Sequence, residues 1–134
     1  MLVGERDPRI KAVIAIASPT DMLELTAHNE DDPTYQCQFL SDLVANSISL
    51  ADARKKLLKS SPLYFVSTSP KIQLHLAEDD QIVPVSQGYR FKQRITDLNP
   101  GSLDFYVYPG RDHSNIGLDN PELAGRTEAF LSDL

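Results

Sequence analysis

The sequence predicts an α/β domain built on a small three-stranded parallel sheet with flanking helices. Three observations lead there. Apolar runs alternate with helix-period segments along the chain, which is the pattern of strand–helix–strand units with right-handed crossovers. The run Lys11-Ala12-Val13-Ile14-Ala15-Ile16-Ala17 shows no polar alternation, as a strand buried on both faces should. Proline and asparagine punctuate the joints, so strands and helices separate cleanly.

Taken in order, the first strand spans 12–17 and ends at Ser18-Pro19. No pattern holds from 21 to 30, and Asn29-Glu30-Asp31-Asp32 reads as an acidic loop. Asp32-Pro33 reads as a helix start, with Asp as N-cap and Pro at the first helical position. Phe39, Leu40, Leu43 and Val44 form that helix's apolar stripe. Ser49-Leu50-Ala51-Asp52 is a capping-box variant that opens a second short helix. Leu50, Ala53, Leu57 and Leu58 are its inward residues, and Arg54-Lys55-Lys56 with Lys59 suits its C-terminal dipole.

Ser60-Ser61-Pro62-Leu63-Tyr64 turns into a short segment that ends before Pro70. The second strand spans 71–77. A helix then runs over 85–98, with Val85, Tyr89, Phe91, Ile95 and Leu98 on its core face and Gly88 permitting close packing. Asn99-Pro100-Gly101 stops it. Leu103-Asp104-Phe105-Tyr106-Val107-Tyr108 is the third strand, rich in β-formers. Asn120-Pro121 caps a last helix that buries Leu123, Thr127, Phe130, Leu131 and Leu134. The 134 residues make one domain, with 22–61 a helical excursion over the strand ends in the position of a cap.

A net charge of −6 argues against nucleic acid as a partner, because phosphate binding needs a basic surface. Cys37 is the only cysteine, so no intrachain disulfide forms, and on its helix it reads as a small core residue. No apolar stretch is long enough to span a bilayer, and the N-terminus has no signal-length apolar segment. No membrane is expected, and a cytoplasmic address is the default, unless a signal lies in a preceding part.

Two motifs carry chemistry. Leu74-His75-Leu76-Ala77-Glu78-Asp79-Asp80-Gln81-Ile82-Val83-Pro84 delivers carboxylates just past the second strand. Tyr108-Pro109-Gly110-Arg111-Asp112-His113 delivers an imidazole just past the third. The order and spacing resemble the last third of an α/β-hydrolase of the prolyl oligopeptidase and esterase/lipase kind. Supporting matches are Thr20-Asp21 after the first strand, Ser61-Pro62-Leu63 before the second, and Ser86-Gln87 early in the following helix. The resemblance covers nearly the whole chain. It implies that Asp80, rather than Asp79, and His113 are the acid and base of a Ser-Asp-His triad, whose chain order is Ser, Asp, His. Three departures stand out. Ala77 replaces the usual Gly, Asp112 is unusually polar beside the His, and there is no Gly-x-Ser-x-Gly. The nucleophile and oxyanion hole would belong to a part outside these residues.

In such a site His113 takes a proton from a Ser hydroxyl and returns it to the leaving group, while Asp80 holds the imidazole's tautomer. Other residues give weaker candidates. Ser18 lacks flanking glycines. Ser114 reads as a helix or turn cap. His75, inside its strand, reads as packing or bonding a loop, and His28 has no evident partner. Glu78-Asp79-Asp80 reads as a solvated turn in preference to a cation site. No metal or cofactor is implied.

The resulting expectation is the C-terminal portion of a serine esterase or peptidase, inactive alone. Its partner is the missing N-terminal half, and its substrate an ester or peptide once complete. The alternative is a non-catalytic module that self-associates through the apolar edge between Ala12 and Ala17. A signalling domain phosphorylated on Asp79 or Asp80 ranks last. It lacks an acidic pair after the first strand and a lysine after the last.

Overall fold

The computed structural model describes residues 1–29, 41, 42 and 44–134. The loop at Glu30-Asp31-Asp32, the helix start at Asp32-Pro33, and Cys37, Phe39, Leu40 and Leu43 lie outside the described residues. Val44 is described and is exposed, so it joins no buried stripe.

Three strands, β1 (Ala12–Ile16), β2 (Lys71–Ala77) and β3 (Leu103–Tyr108), form a parallel sheet in the order β1-β2-β3. The helices with both ends among the described residues are α1 (Leu2–Arg6), α2 (Met22–His28), α3 (Leu50–Lys59), α4 (Val85–Leu98) and α5 (Pro121–Ser132). Two 3₁₀ turns, Pro62–Tyr64 and Val66–Thr68, lead into β2. The bounds of β2, α4 and β3 coincide with those read from the sequence.

β2 is the centre of the molecule, and Ile72 through Ala77 are all buried. Its side chains alternate between two unlike faces. Ile72, Leu74 and Leu76 meet Phe91 and Ile95 of α4 together with Ala15, Leu63 and Val66. A Cβ at Gly88 would overlap Leu76, so glycine is what lets α4 approach this face. The opposite face carries Gln73, His75 and Ala77. There α5 supplies Leu123, which packs with Ala17, Ala77, Tyr108 and Ile116.

Several expected core residues are not buried, for one common reason. The apolar stripes extend beyond the surfaces that the described residues place against them. Tyr89 and Leu98 of α4, Leu131 and Leu134 at the C-terminus, and Leu50 in the first turn of α3 are exposed. On α4 the sheet-facing residues are Gln87, Gly88, Phe91 and Ile95, while Tyr89 lies beside Phe105 at the margin. β1 likewise is not buried on both faces. Among the described residues it has a neighbour on one side only, Ile14 is half-buried, and Ile16 is 41% exposed. Ala17 N donates to His75 O, so residues 13, 15 and 17 aim their peptide groups at β2. Ile14 and Ile16 aim theirs at the open edge.

α1 has no counterpart in the sequence reading, and α2 falls within the expected 22–61 helical excursion at a place where no single helix is read. α1 is short and lacks a side-chain cap. α2 starts at Asp21, whose carboxylate accepts from Leu23 N and Glu24 N, and Asp-x-x-Glu was the available signal. Arg90 of α4 pairs with both Asp21 and Glu24, which fastens α2 to α4.

The face under α5 holds a closed polar network. Gln73 Nε2 donates to Arg126 O (3.1 Å), leaving Gln73 Oε1 to accept from His75 Nε2 (2.8 Å). His75 Nδ1 then accepts the Tyr108 hydroxyl at 2.7 Å. The ring lies between Tyr106 and Tyr108 and is fully buried, with the Arg126 guanidinium 4.0 Å above Tyr106. Desolvation, and then the Arg126 charge, hold the His75 pKa down at about 4, from an ordinary 6.5. Between those values the unfolded chain binds the extra proton, so stability rises with pH there and is lost as pH falls through the window. Wild-type protein should therefore lose up to roughly 3 kcal/mol more than His75→Gln between pH 6.5 and 4. Urea unfolding of both proteins at several pH values measures this. Parallel profiles would show that His75 is not the group responsible.

Candidate active site

Asp80 and His113 meet past the ends of β2 and β3. Ala77 pairs with Tyr108 at the last rung of the β2–β3 ladder. Glu78 N then donates to Tyr108 O, and Asp79 N to Arg111 O, which carries the pairing beyond the strands. Asp80 is 5% exposed and its carboxylate is held at both oxygens. Oδ1 accepts from Ile82 N (2.9 Å) and Val83 N (2.8 Å), and Oδ2 accepts from His113 Nδ1 at 2.9 Å. Three hydrogen bonds offset the cost of removing the carboxylate from water.

The His113 side chain is 36% exposed, and among the described residues its other nitrogen, Nε2, has no hydrogen bond. With Nδ1–H donating to the carboxylate, Nε2 carries the lone pair. The arrangement is a proton acceptor whose tautomer is set from behind.

The surrounding loops are built to hold this pair. Gly110 takes φ +67°, a left-handed conformation that favours glycine. Asp112 Oδ1 accepts from Ser114 N and Asn115 N, and Asn115 Oδ1 accepts from Asp112 N. The polarity of Asp112 thus closes the turn that carries His113, and Asp112, not Ser114, is the cap. Ala77 puts its methyl into the Ala17–Tyr108–Ile116 cluster. His28, on α2, reaches Gln81 O at 2.8 Å and so touches the acid loop, a contact without any local sequence signal. Gln87 Oε1 accepts from Thr20 N and Asp21 N, tying the loop after β1 to α4.

The remaining candidates fall elsewhere. Ser18 Oγ donates to Ile16 O at the end of β1. Glu78 and Asp79 are exposed, and among the described residues no three His, Cys, Asp or Glu side chains converge as a metal site. A groove of about 470 Å³ lies on α4, lined by Leu63, Tyr64, Arg90, Gln93, Arg94 and Asp97, and neither Asp80 nor His113 borders it. Among the described residues no helix is long and apolar enough to cross a membrane.

No protein-family model matches the sequence, and no curated protein matches it. Solved structures do. A puromycin-hydrolysing peptidase of Mycobacterium tuberculosis matches 82% of this chain at 20% identity and a TM-score of 0.64, over 16% of its own length. An esterase of Pyrococcus furiosus matches 98% of this chain at 17% identity and a TM-score of 0.66, over 48% of its length. An acylaminoacyl peptidase of Pyrococcus horikoshii matches 88% at 19% identity and a TM-score of 0.59, over 18% of its length. The chain thus spans less than half of each of these proteins. The likeness establishes the fold, which is a portion of the α/β-hydrolase fold.

The pair makes a direct prediction. Asp80→Asn keeps an oxygen for the Ile82 and Val83 amides but offers His113 an N–H in place of a carboxylate oxygen. The ring proton should move from Nδ1 to Nε2, as in any imidazole forced to accept at Nδ1. Ring ¹⁵N shifts of His113 in the two proteins test this, and an unchanged tautomer would mean that Asp80 does not govern the ring.

Proposed function

We propose that this chain supplies the acid and base of a serine-hydrolase site and that the nucleophilic hydroxyl comes from polypeptide outside these residues. The observation that carries the reading is the Asp80–His113 bond, which leaves Nε2 half-open to solvent. In the completed site a hydroxyl donates to Nε2 and loses its proton as it attacks an ester or peptide carbonyl. His113 then protonates the leaving group, and Asp80 stabilises the imidazolium that forms in between. An oxyanion hole supplied by the other part would contribute about 3 kcal/mol per donor. The peptidase and esterase descriptions of the structural neighbours support this reaction class. No cofactor enters it.

A fluorophosphonate probe tests the reading, because it labels only an activated hydroxyl. The 134-residue chain alone should remain unlabelled. Co-expressed with the coding segment upstream of it, the assembly should label, and His113→Ala should reduce labelling at least a hundredfold. Labelling of the isolated chain would place the nucleophile inside it and overturn the assignment.

A second reading, a non-catalytic module, is favoured by β1. Its open edge presents the peptide groups of Ile14 and Ile16 beside the exposed Ile16 side chain. An unpaired apolar edge tends to recruit a strand, and two copies would join through it about a two-fold axis. Light scattering at low micromolar concentration should then give twice the 14.9 kDa chain mass. A monomer counts against this reading and leaves the edge to the other part of a hydrolase.

A further inference from the structure

We propose that Arg111 is a positioning residue for His113, acting through the backbone of the loop that follows the imidazole. Its guanidinium is wrapped by that loop. Nη1 donates to Asn115 O (3.1 Å) and Leu118 O (2.8 Å), and Nη2 donates to Asp119 O (3.2 Å). No ion pair involves it among the described residues, so its charge serves carbonyl groups and not a surface carboxylate. Its main chain points the other way, with Arg111 O accepting from Asp79 N at 2.9 Å, one residue before Asp80. One residue therefore grips the acid loop with its backbone and the base loop with its side chain, two positions ahead of His113.

The chemistry calls for arginine. Residues 113–119 form turns without a helix or a strand, so their carbonyls have no regular partners. Three of them converge on one planar fork that offers five N–H donors in fixed directions. A lysine ammonium is a point charge with three rotatable donors and does not span the same carbonyls. The Asp112–Asn115 turn fixes the local shape around His113, and buried Ile116 anchors its far side. Arg111 fixes that turn relative to the acid loop, which is what sets the Nδ1–Oδ2 distance.

NMR of the full 134-residue chain tests this without requiring turnover, so its outcome is separate from that of the hydrolase reading. Arg111→Lys and Arg111→Gln are compared with wild type for the His113 Nδ1–H proton signal, its solvent exchange and the ring ¹⁵N shifts. Circular dichroism reports the melting temperature. The expected result is a folded chain whose Nδ1–H exchanges at least tenfold faster, with the ring drifting to mixed tautomers. Both changes should be smaller in Arg111→Lys than in Arg111→Gln. Folded variants with unchanged exchange and tautomer would overturn the proposal, leaving Arg111 as a staple for loop stability. If Arg111→Lys does not fold, Arg111→Gln carries the comparison. Failure of both to fold would also overturn it, because Arg111 would then serve the whole domain.

Discussion

The structure depends on one constraint, the in-register parallel pairing of β2 with β3 through their last residues. Ala77 lies beside Tyr108, and two further backbone bonds, Glu78 N to Tyr108 O and Asp79 N to Arg111 O, continue the match into the loops. Asp80 and His113 are neighbours because both loops leave the sheet at the same height. A carboxylate buried to 5% exposure needs firm partners, and it has them in Ile82 N, Val83 N and His113 Nδ1. A slip of one residue would place Tyr108 on the other face of the sheet and remove it from both His75 and the Ala17–Ile116 cluster. The site geometry is therefore a consequence of sheet register, and register is fixed by what each face buries.

Those faces are chemically unlike. The α4 side is aliphatic and aromatic, closed around Phe91 and Ile95. The α5 side holds Gln73, His75 and Tyr108 in hydrogen bonds that leave their shared atoms satisfied. A buried polar network of this kind discriminates against misregistered packing more than it adds stability, because each lost partner leaves a desolvated group behind. Tyr108 belongs to both systems. Its hydroxyl is fixed by His75, and its carbonyl begins the bridge to the acid loop.

The strongest signals in the sequence were those where local chemistry and tertiary role agree. β2, α4 and β3 are legible to the residue, because the strand run ends at Glu78-Asp79-Asp80, Pro84 precedes the helix, and Asn99-Pro100-Gly101 separates the helix from β3. Only the resemblance to the hydrolase pattern prefers Asp80 to Asp79 in the sequence, and the structure turns Asp80 inward while Asp79 stays exposed. What stayed hidden depends on distant partners. Gln87 is buried because two amides from the loop after β1 need an acceptor, and no periodicity in α4 announces that. Ile16, Leu50, Tyr89 and Leu98 follow apolar patterns but find no covering layer among the described residues, since a pattern specifies a face and not what lies against it. α2 is hard to read from its residues although Asp21 caps its first amides, because its short span carries little helical periodicity.

The structure gives physical grounds for the contrast between two histidines. His75 lies within an apolar strand and His113 follows one. His75 is sealed, with both ring nitrogens bonded and burial holding it neutral down to about pH 4. A proton taken up at Nδ1 would displace the hydrogen that Tyr108 donates there, since Nε2 already donates to Gln73 Oε1. His113 has one nitrogen committed to a buried carboxylate and the other turned to a half-open surface. Of the two, only His113 combines a carboxylate bond at one ring nitrogen with, among the described residues, no bond at the other. The difference arises from which face and which end of the sheet each residue occupies. The fold, more than the residue type, makes one histidine a strut and leaves the other with a ring nitrogen facing a half-open surface.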